Sequence, residues 1–454
     1  MKMGNDLTRG PVAKTLLRFT SPYLIANLLN TLYGIVDMFI VGRFASSIEL
    51  SAVSIGAMLM MMINFLLMGL ATGGTVLVGN FIGAKREKEV KEATATLFCL
   101  LPLVAIGIMV LFMLLCNPLL KLIHTPAESF TGARAYVRIC LVGMVFSGFY
   151  NAISSVYRGM GESKTPMIFV GISCVLNILG DIICVAMLGM GAAGAALATT
   201  VSQAISVLIG YVYIKRHGAF PFDFRPSSFR IYKDKAKRIL SLGLPAAGQE
   251  VMVNISFVVL EAVVNKLGYV STAAAGVADR IFGIAVIPAG AFFGAVSAMV
   301  AQNQGAEQPE RSHRSMLVGV GVSGGIGLLI WLVMAIVPAS VISIFTPDRE
   351  VIAAGVEYMT FFKFDFLFFA FAFPICGYIN GMGHTRYTMV VNIVSAIIVR
   401  LPLVYLFSLL PGAGLYHIGI ALPLASIVQL LMSVGYMAFA KHEREYRRLR
   451  DMKR

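Results

Sequence analysis

Apolar stretches long enough to cross a bilayer follow one another along almost the whole chain, separated by short polar or small-residue turns. A spanning helix needs about 20 apolar residues and a spanning strand about ten. The runs here are of the first kind, which excludes a transmembrane β-barrel. The pattern predicts twelve helices, over 15–42, 51–79, 93–117, 132–157, 165–188, 191–215, 237–264, 274–302, 314–340, 351–379, 387–410 and 415–440. The last six echo the first six. Ser21-Pro22 opens a long apolar run, a small-residue turn and a second run that ends in Gly79-Asn80-Phe81-Ile82-Gly83-Ala84. Leu244-Pro245 opens the same series, ending in Ala301-Gln302-Asn303-Gln304-Gly305-Ala306. An even number of spans per half brings both halves in from the same side, as parallel repeats about an axis along the membrane normal.

The expected fold is an all-α polytopic membrane protein, with twelve transmembrane helices in two six-helix pseudo-symmetric lobes. Its parts are an amino lobe (1–215), a cytoplasmic linker (216–236), a carboxyl lobe (237–440) and a basic cytoplasmic tail (441–454). The linker is the only long polar stretch and holds Pro221 and Pro226. The glycine- and alanine-rich run Gly189 to Ala196, and its counterpart Pro411-Gly412-Ala413-Gly414, read as tight connections that let helices approach closely.

Composition agrees with this pattern. Of 454 residues, 58% are hydrophobic and 13% charged, half the roughly 25% of a soluble protein. A net charge of +14 invites a nucleic-acid reading, but the distribution of the 37 Lys and Arg argues against it. Most fall in the amino-terminal segment, in every second loop, in the linker and in the tail, on one side of the predicted bundle. The positive-inside rule then places both termini and the linker in the cytoplasm of a multi-pass inner (plasma) membrane protein. The excess charge also favours contact with anionic lipids. The polar first ten residues precede an apolar run of full spanning length, so no cleavable signal peptide is expected. The six cysteines lie in or beside apolar segments without metal-ligand spacing, and read as packing.

Ionisable residues inside apolar spans carry the functional signal, because each costs about 2.5–3.5 kcal/mol at a span centre on insertion scales and needs compensation. Asp37 lies near the outer end of the first span and Asp181 in the fifth. Asn177 and Asp181 share one helix face by their i, i+4 spacing. Thr199 in the sixth span completes a set that the helical rise places within roughly 5 Å of one depth. Two carboxylates, an amide and a hydroxyl at one level suit either a H⁺ or Na⁺ site or a structural hydrogen-bond network. Two close carboxylates in a low dielectric resist ionising together. Pro22 removes one backbone hydrogen bond from the helix that carries Asp37, and either lets it bend or leaves a static kink. Methionines such as Met58 and Met60-Met61-Met62, with Tyr33 and Tyr150, suit an adaptable substrate cavity, to which Gln203 is a further candidate; for most of the methionines core or lipid packing is the simpler reading. Glu250, Glu261, Lys363, Asp365 and Arg400 do not copy the amino-lobe set and read as buried ion pairs that fix packing, with Glu261 reaching the outer interface. No Walker loop, catalytic triad or metal cluster is evident, so an enzyme is not expected and any transport is gradient-driven.

At these residues the chain resembles the multidrug and toxic compound extrusion (MATE) family, in particular its bacterial branch of DinF-like and MepA-like exporters. The resemblance covers residues 14 to 440. It is carried by Pro22 with Val36-Asp37 and Val41-Gly42, by Gly79 to Ala84, by Arg158-Gly159-Met160-Gly161, by Asn177 with Asp181, and by Gln302 to Ala306. Arg400-Leu401-Pro402-Leu403 also matches a pattern common in this branch. The resemblance implies secondary antiport, with organic cations expelled in exchange for H⁺ or Na⁺. It assigns coupling to Asp37, Asn177, Asp181 and Thr199, and bending to Pro22. It also implies that a second cation site in the carboxyl lobe is not expected, because Glu261 and Asp365 do not fall where members with such a site carry their carboxylates.

The expected partners are small-molecule organic cations and membrane lipids, with no nucleic acid, no cofactor beyond the coupling ion, no resident metal, and a monomeric state. Two other readings compete. A flippase or exporter of a lipid-linked or other amphipathic substrate needs a cationic cleft, and the first half has no inward-facing Arg cluster. A non-transporting scaffold or receptor would be indifferent to neutralisation of Asp37.

Overall fold

In the computed structural model, which describes residues 6–217 and 220–452, with side chains described to Phe439, the chain is helical almost throughout. The side chains of the basic tail 441–454 and linker residues 218 and 219 lie outside the described residues. Among the described residues, twelve helices are long and apolar enough to span a membrane: α1 (Val12–Phe44), α2 (Ser47–Gly83), α3 (Glu87–Leu122), α4 (Ala127–Gly159), α5 (Lys164–Met187), α6 (Gly191–His217), α7 (Lys233–Leu267), α8 (Tyr269–Gly305), α9 (Pro309–Ile336), α10 (Arg349–Gly381), α11 (Thr385–Ser408) and α12 (Leu415–Phe439). No strand occurs among the described residues. The protein is a multi-pass α-helical membrane protein, as the hydrophobic pattern indicated. Helices are the solution for single segments in lipid, because they satisfy every backbone polar group within the segment.

The repeat is visible in local geometry. The turns after α2 and α8 are built alike: Lys85 (φ 55) and Glu307 (φ 56) both take the left-handed conformation. Lys85 N donates to the Ile82 carbonyl at 3.0 Å and Glu307 N to the Gln304 carbonyl at 3.1 Å. The fifth helix of each half also departs from α geometry. A π-helical turn, Ile182–Met187, begins immediately after Asp181 in α5, and another, Val394–Arg400, ends at Arg400 in α11. Such wide turns inside helices occur frequently at functional positions.

By internal contacts the chain forms two compact units: Met1–Gly248 with Ala298–Arg311, and Gln249–Ser297 with Ser312–Arg454. The first therefore holds α1 to α6 together with the amino-terminal part of α7 and the carboxyl-terminal part of α8. Close backbone approach explains why. A Cβ on Gly83 of α2 would lie 1.9 Å from the Gln302 carbonyl oxygen of α8, a distance no side chain tolerates. Ile239 and Leu242 of α7 and Ala301 of α8 complete an apolar core with Leu77, Val78, Leu97 and Val156. The linker joins this unit through aromatic packing: Phe220 and Phe222 are buried, and Phe222 stacks on Phe98 of α3 with ring centroids 4.9 Å apart. A second cluster includes Val53, Leu67, Tyr136, Leu141 and Ala195. Glu49 ties α2 to α6: its backbone N–H is accepted by the Ser46 cap, and its carboxylate accepts the Ala192 N–H at 2.7 Å.

The second unit has its own core, in which Leu260, Ala278, Tyr358, Phe362, Phe366, Ile418 and Leu422 are buried. In both units large apolar side chains such as Phe39, Leu114, Ile336 and Leu431 face outward, at 65% to 75% exposure. That much exposed apolar surface is stable only against lipid.

Candidate ion and substrate site

Three helices of the first unit converge on the sequence-derived polar set. On α1, Tyr33 and Asp37 are one turn apart and share a face. On α5, Asn177 and Asp181 do the same. Gly180 lets α6 come close, since a Cβ there would sit 2.8 Å from the Cβ of Ala198. That contact brings the neighbouring Thr199 to α5, where its hydroxyl accepts the Asn177 side-chain N–H at 3.2 Å.

Asp37 (5% exposed), Asn177 (1%), Asp181 (0%) and Thr199 (8%) are all buried. Asp37 and Asp181 lie within electrostatic reach of one another. The Tyr33 hydroxyl lies within reach of Thr199 and of the Asp37 charge. Neither carboxylate has a Lys or Arg ion-pair partner among the described residues. Asp37 Oδ1, both carboxyl oxygens of Asp181 and Asn177 Oδ1 are buried without a hydrogen-bond donor. An acceptor-rich, donor-poor pocket of this kind is chemically suited to a proton or a small hard cation with oxygen ligands. The oxygens of Asp37, Asn177 and Asp181 would hold Na⁺; no group of three or more His, Cys, Asp and Glu placed to hold a metal ion occurs among the described residues.

A cavity of about 100 Å³ adjoins this set. Tyr33 and Thr199 line both, and Asn30, Tyr150, Ser202 and Gln203 line the cavity alone. Gln203 is held by Ser147, whose hydroxyl donates to its Oε1 at 3.0 Å. The Tyr150 hydroxyl is buried and has no partner. Met61 is 55% exposed and is not among the cavity residues. Pro22 sits inside the continuous helix α1, well before Asp37. The Arg18 carbonyl that the missing Pro22 N–H leaves free faces the Ser21 hydroxyl at 3.5 Å, and the next carbonyl, Phe19, accepts from Ser163 at 2.6 Å. The break in the α1 ladder is thus bridged by side chains.

The MatE family profile matches the chain twice, over residues 22–183 and 245–406. The chain belongs to the MatE family. These multidrug efflux transporters share the twelve-helix fold. The MatE chain is 28% identical to the probable multidrug resistance protein YpnP of Bacillus subtilis, covering 92% of this chain and 93% of that one. It is 27% identical to the probable multidrug resistance protein YoeA of the same organism, over 96% of each. In structure it resembles a MOP superfamily transporter from Pyrococcus furiosus, with a TM-score of 0.89 and 21% identity over 96% of this chain and 98% of that one. The two profile matches are equally long and begin at Pro22 and Pro245, so they restate the repeat read from the sequence.

The carboxyl-lobe residues of this MatE protein are arranged differently from the ion pairs that the sequence suggested. Lys363 stands over the Phe364 ring at 5.9 Å and forms no ion pair with Asp365. Asp365 is buried and accepts a hydrogen bond from Ser426. Glu261 lies within electrostatic reach of Asp279 of α8. Sequence reasoning overlooked Asp279, whose partner lies on another helix at no fixed spacing. It also overlooked Ser147, a serine whose environment only packing reveals.

Proposed function

We propose that the chain is a secondary active multidrug exporter that expels organic cations in antiport with H⁺ or Na⁺. The observation that carries this reading is the buried Asp37–Asp181 pair, whose oxygens lack donors and whose neighbours Tyr33 and Thr199 also line the cavity. A proton or Na⁺ arriving at the pair cancels the charge that draws an organic cation into the adjoining cavity, so ion and substrate compete. Tyr33 and Tyr150 offer ring faces to such a cation and Gln203 a polar anchor. In this reading Pro22 lets α1 bend when the ionic state of Asp37 changes, and the two lobes alternate access. The protein lies in the plasma membrane with both termini cytoplasmic, as the distribution of Lys and Arg favours, and acts as a monomer without a cofactor.

The test uses everted membrane vesicles carrying the wild-type chain or Asp37→Asn. A proton or a Na⁺ gradient is imposed separately, and its collapse on adding organic cations is followed. Collapse of one gradient, absent in the variant, identifies antiport and the coupling ion. No response to either gradient across a broad panel of cations rejects the reading in favour of a lipid-linked or other amphipathic substrate.

A further inference from the structure

Asp365 of the carboxyl lobe is placed differently from the carboxyl pair of the amino lobe. In the amino lobe the Asp37–Asp181 pair has no basic partner. In the carboxyl lobe Asp365, 1% exposed, lies within electrostatic reach of Arg400, itself 7% exposed. Asn177 and Arg400 hold the same place counted back from the ends of the two matched stretches, residues 183 and 406. Asn177 lies one turn before Asp181, after which the π-helical turn of α5 begins, and Arg400 is the last residue of the π-helical turn of α11. Thus a guanidinium in one repeat stands where the other has an amide in its ion site.

The surroundings of Arg400 resemble those of a bound ion more than those of a salt bridge. A guanidinium has five N–H donors. Here one terminal nitrogen donates to Ser256 Oγ at 3.1 Å, and Nε is buried without a partner. The group lies 4.5 Å from the centroid of the Phe257 ring and forms no direct ion pair with Asp365. Tyr358 lies within reach of Asp279, Asp365 and Arg400, and its buried hydroxyl is unpartnered. An aromatic face, a hydroxyl and a nearby carboxylate are the elements of an organic-cation pocket.

We propose that Arg400 is a resident cation. Its side chain neutralises Asp365 at the place in the carboxyl lobe where the amino lobe leaves its carboxyl pair open to an exchangeable ion. Asp365 is thereby charge-balanced through the whole cycle and exchanges no ion at this place. The pocket of Ser256, Phe257 and Asp365 is matched to a guanidinium. This assignment rests on the antiport reading only for its meaning in the cycle; the pocket itself can be tested without transport.

The experiment measures thermal unfolding of purified Arg400→Ala in guanidinium chloride and in choline chloride at equal, low concentration. Ligand that binds only the folded state raises the midpoint by mass action. The variant is expected to unfold below the wild type and to regain about 2 °C or more in guanidinium relative to choline, while the wild type shows no such difference. Equal midpoints in the two salts overturn the proposal. If Arg400→Ala does not fold, the balanced variant Asp365→Asn/Arg400→Gln decides. It is expected to fold, to ignore guanidinium and to keep the ion dependence of wild-type transport. Failure to fold, or an altered coupling ion, overturns the proposal. The Asp37→Asn vesicle assay, run alongside, tests the antiport reading separately.

Discussion

Replacing Asp37 by Asn separates a coupling site from a structural network, because the two predict opposite outcomes. In the wild type, Asp37 Oδ1 and both oxygens of Asp181 are buried without donors. Two unit charges about 4 Å apart repel by about 4 kcal/mol at an effective dielectric near 20. That repulsion drives uptake of a proton or cation between them. The Asp37→Asn substitution removes it, and the new side-chain amide can donate to Asp181 in place of the ion. A loss of about 4 kcal/mol corresponds to about three decades in ion affinity, and the new hydrogen bond adds about 0.5–1.5 kcal/mol of stability. The variant should therefore melt at or above the wild-type temperature, yet lose ion-coupled export by two orders of magnitude or more. Vesicle gradient collapse and thermal unfolding of the same preparation read both quantities. A variant that melts lower but retains coupled transport would refute the reasoning and assign the pair to packing.

Four further outcomes follow from the same geometry. Thr199→Val removes the acceptor for the Asn177 amide at nearly constant shape; the orphaned donor costs about 1–3 kcal/mol, read as a lower unfolding midpoint together with weaker ion dependence. Pro22→Ala restores a backbone N–H for the Arg18 carbonyl and stiffens α1; stability should hold or rise while turnover in vesicles falls by about tenfold or more. Tyr150→Phe deletes a hydroxyl that has no partner, so stability should change by less than about 0.5 kcal/mol while the ranking of exported cations shifts in a resistance panel. Gly83→Ala forces a Cβ against the Gln302 carbonyl at 1.9 Å; backbone must move, and a loss of about 1–3 kcal/mol should appear as a lower melting temperature.

Hydropathy and spacing alone determined a great deal about this protein. Long apolar runs must become helices in lipid, so the twelve spans, their order and the repeat marked by Pro22 and Pro245 were legible residue by residue. Asp37 and Asp181 were legible too, because a carboxylate within an apolar run is an anomaly that needs no partner to be noticed, and the i, i+4 rule placed Asn177 beside Asp181. Only the tertiary structure decided who faces whom. Whether Asp37 meets Asp181 depends on the rotation of α1 against α5, which packing sets. The same is true of Glu261 with Asp279, of Arg400 beside Asp365 where Lys363 turns to a phenylalanine, and of Met61, which points outward while Tyr33 and Tyr150 line the cavity. The grouping of the amino-terminal part of α7 and the carboxyl-terminal part of α8 with the amino-terminal helices likewise follows from backbone contacts such as Gly83 on Gln302. Hydrophobicity is a property of each segment by itself, whereas a site is a property of side chains from several segments, fixed by helix rotations that no single segment encodes.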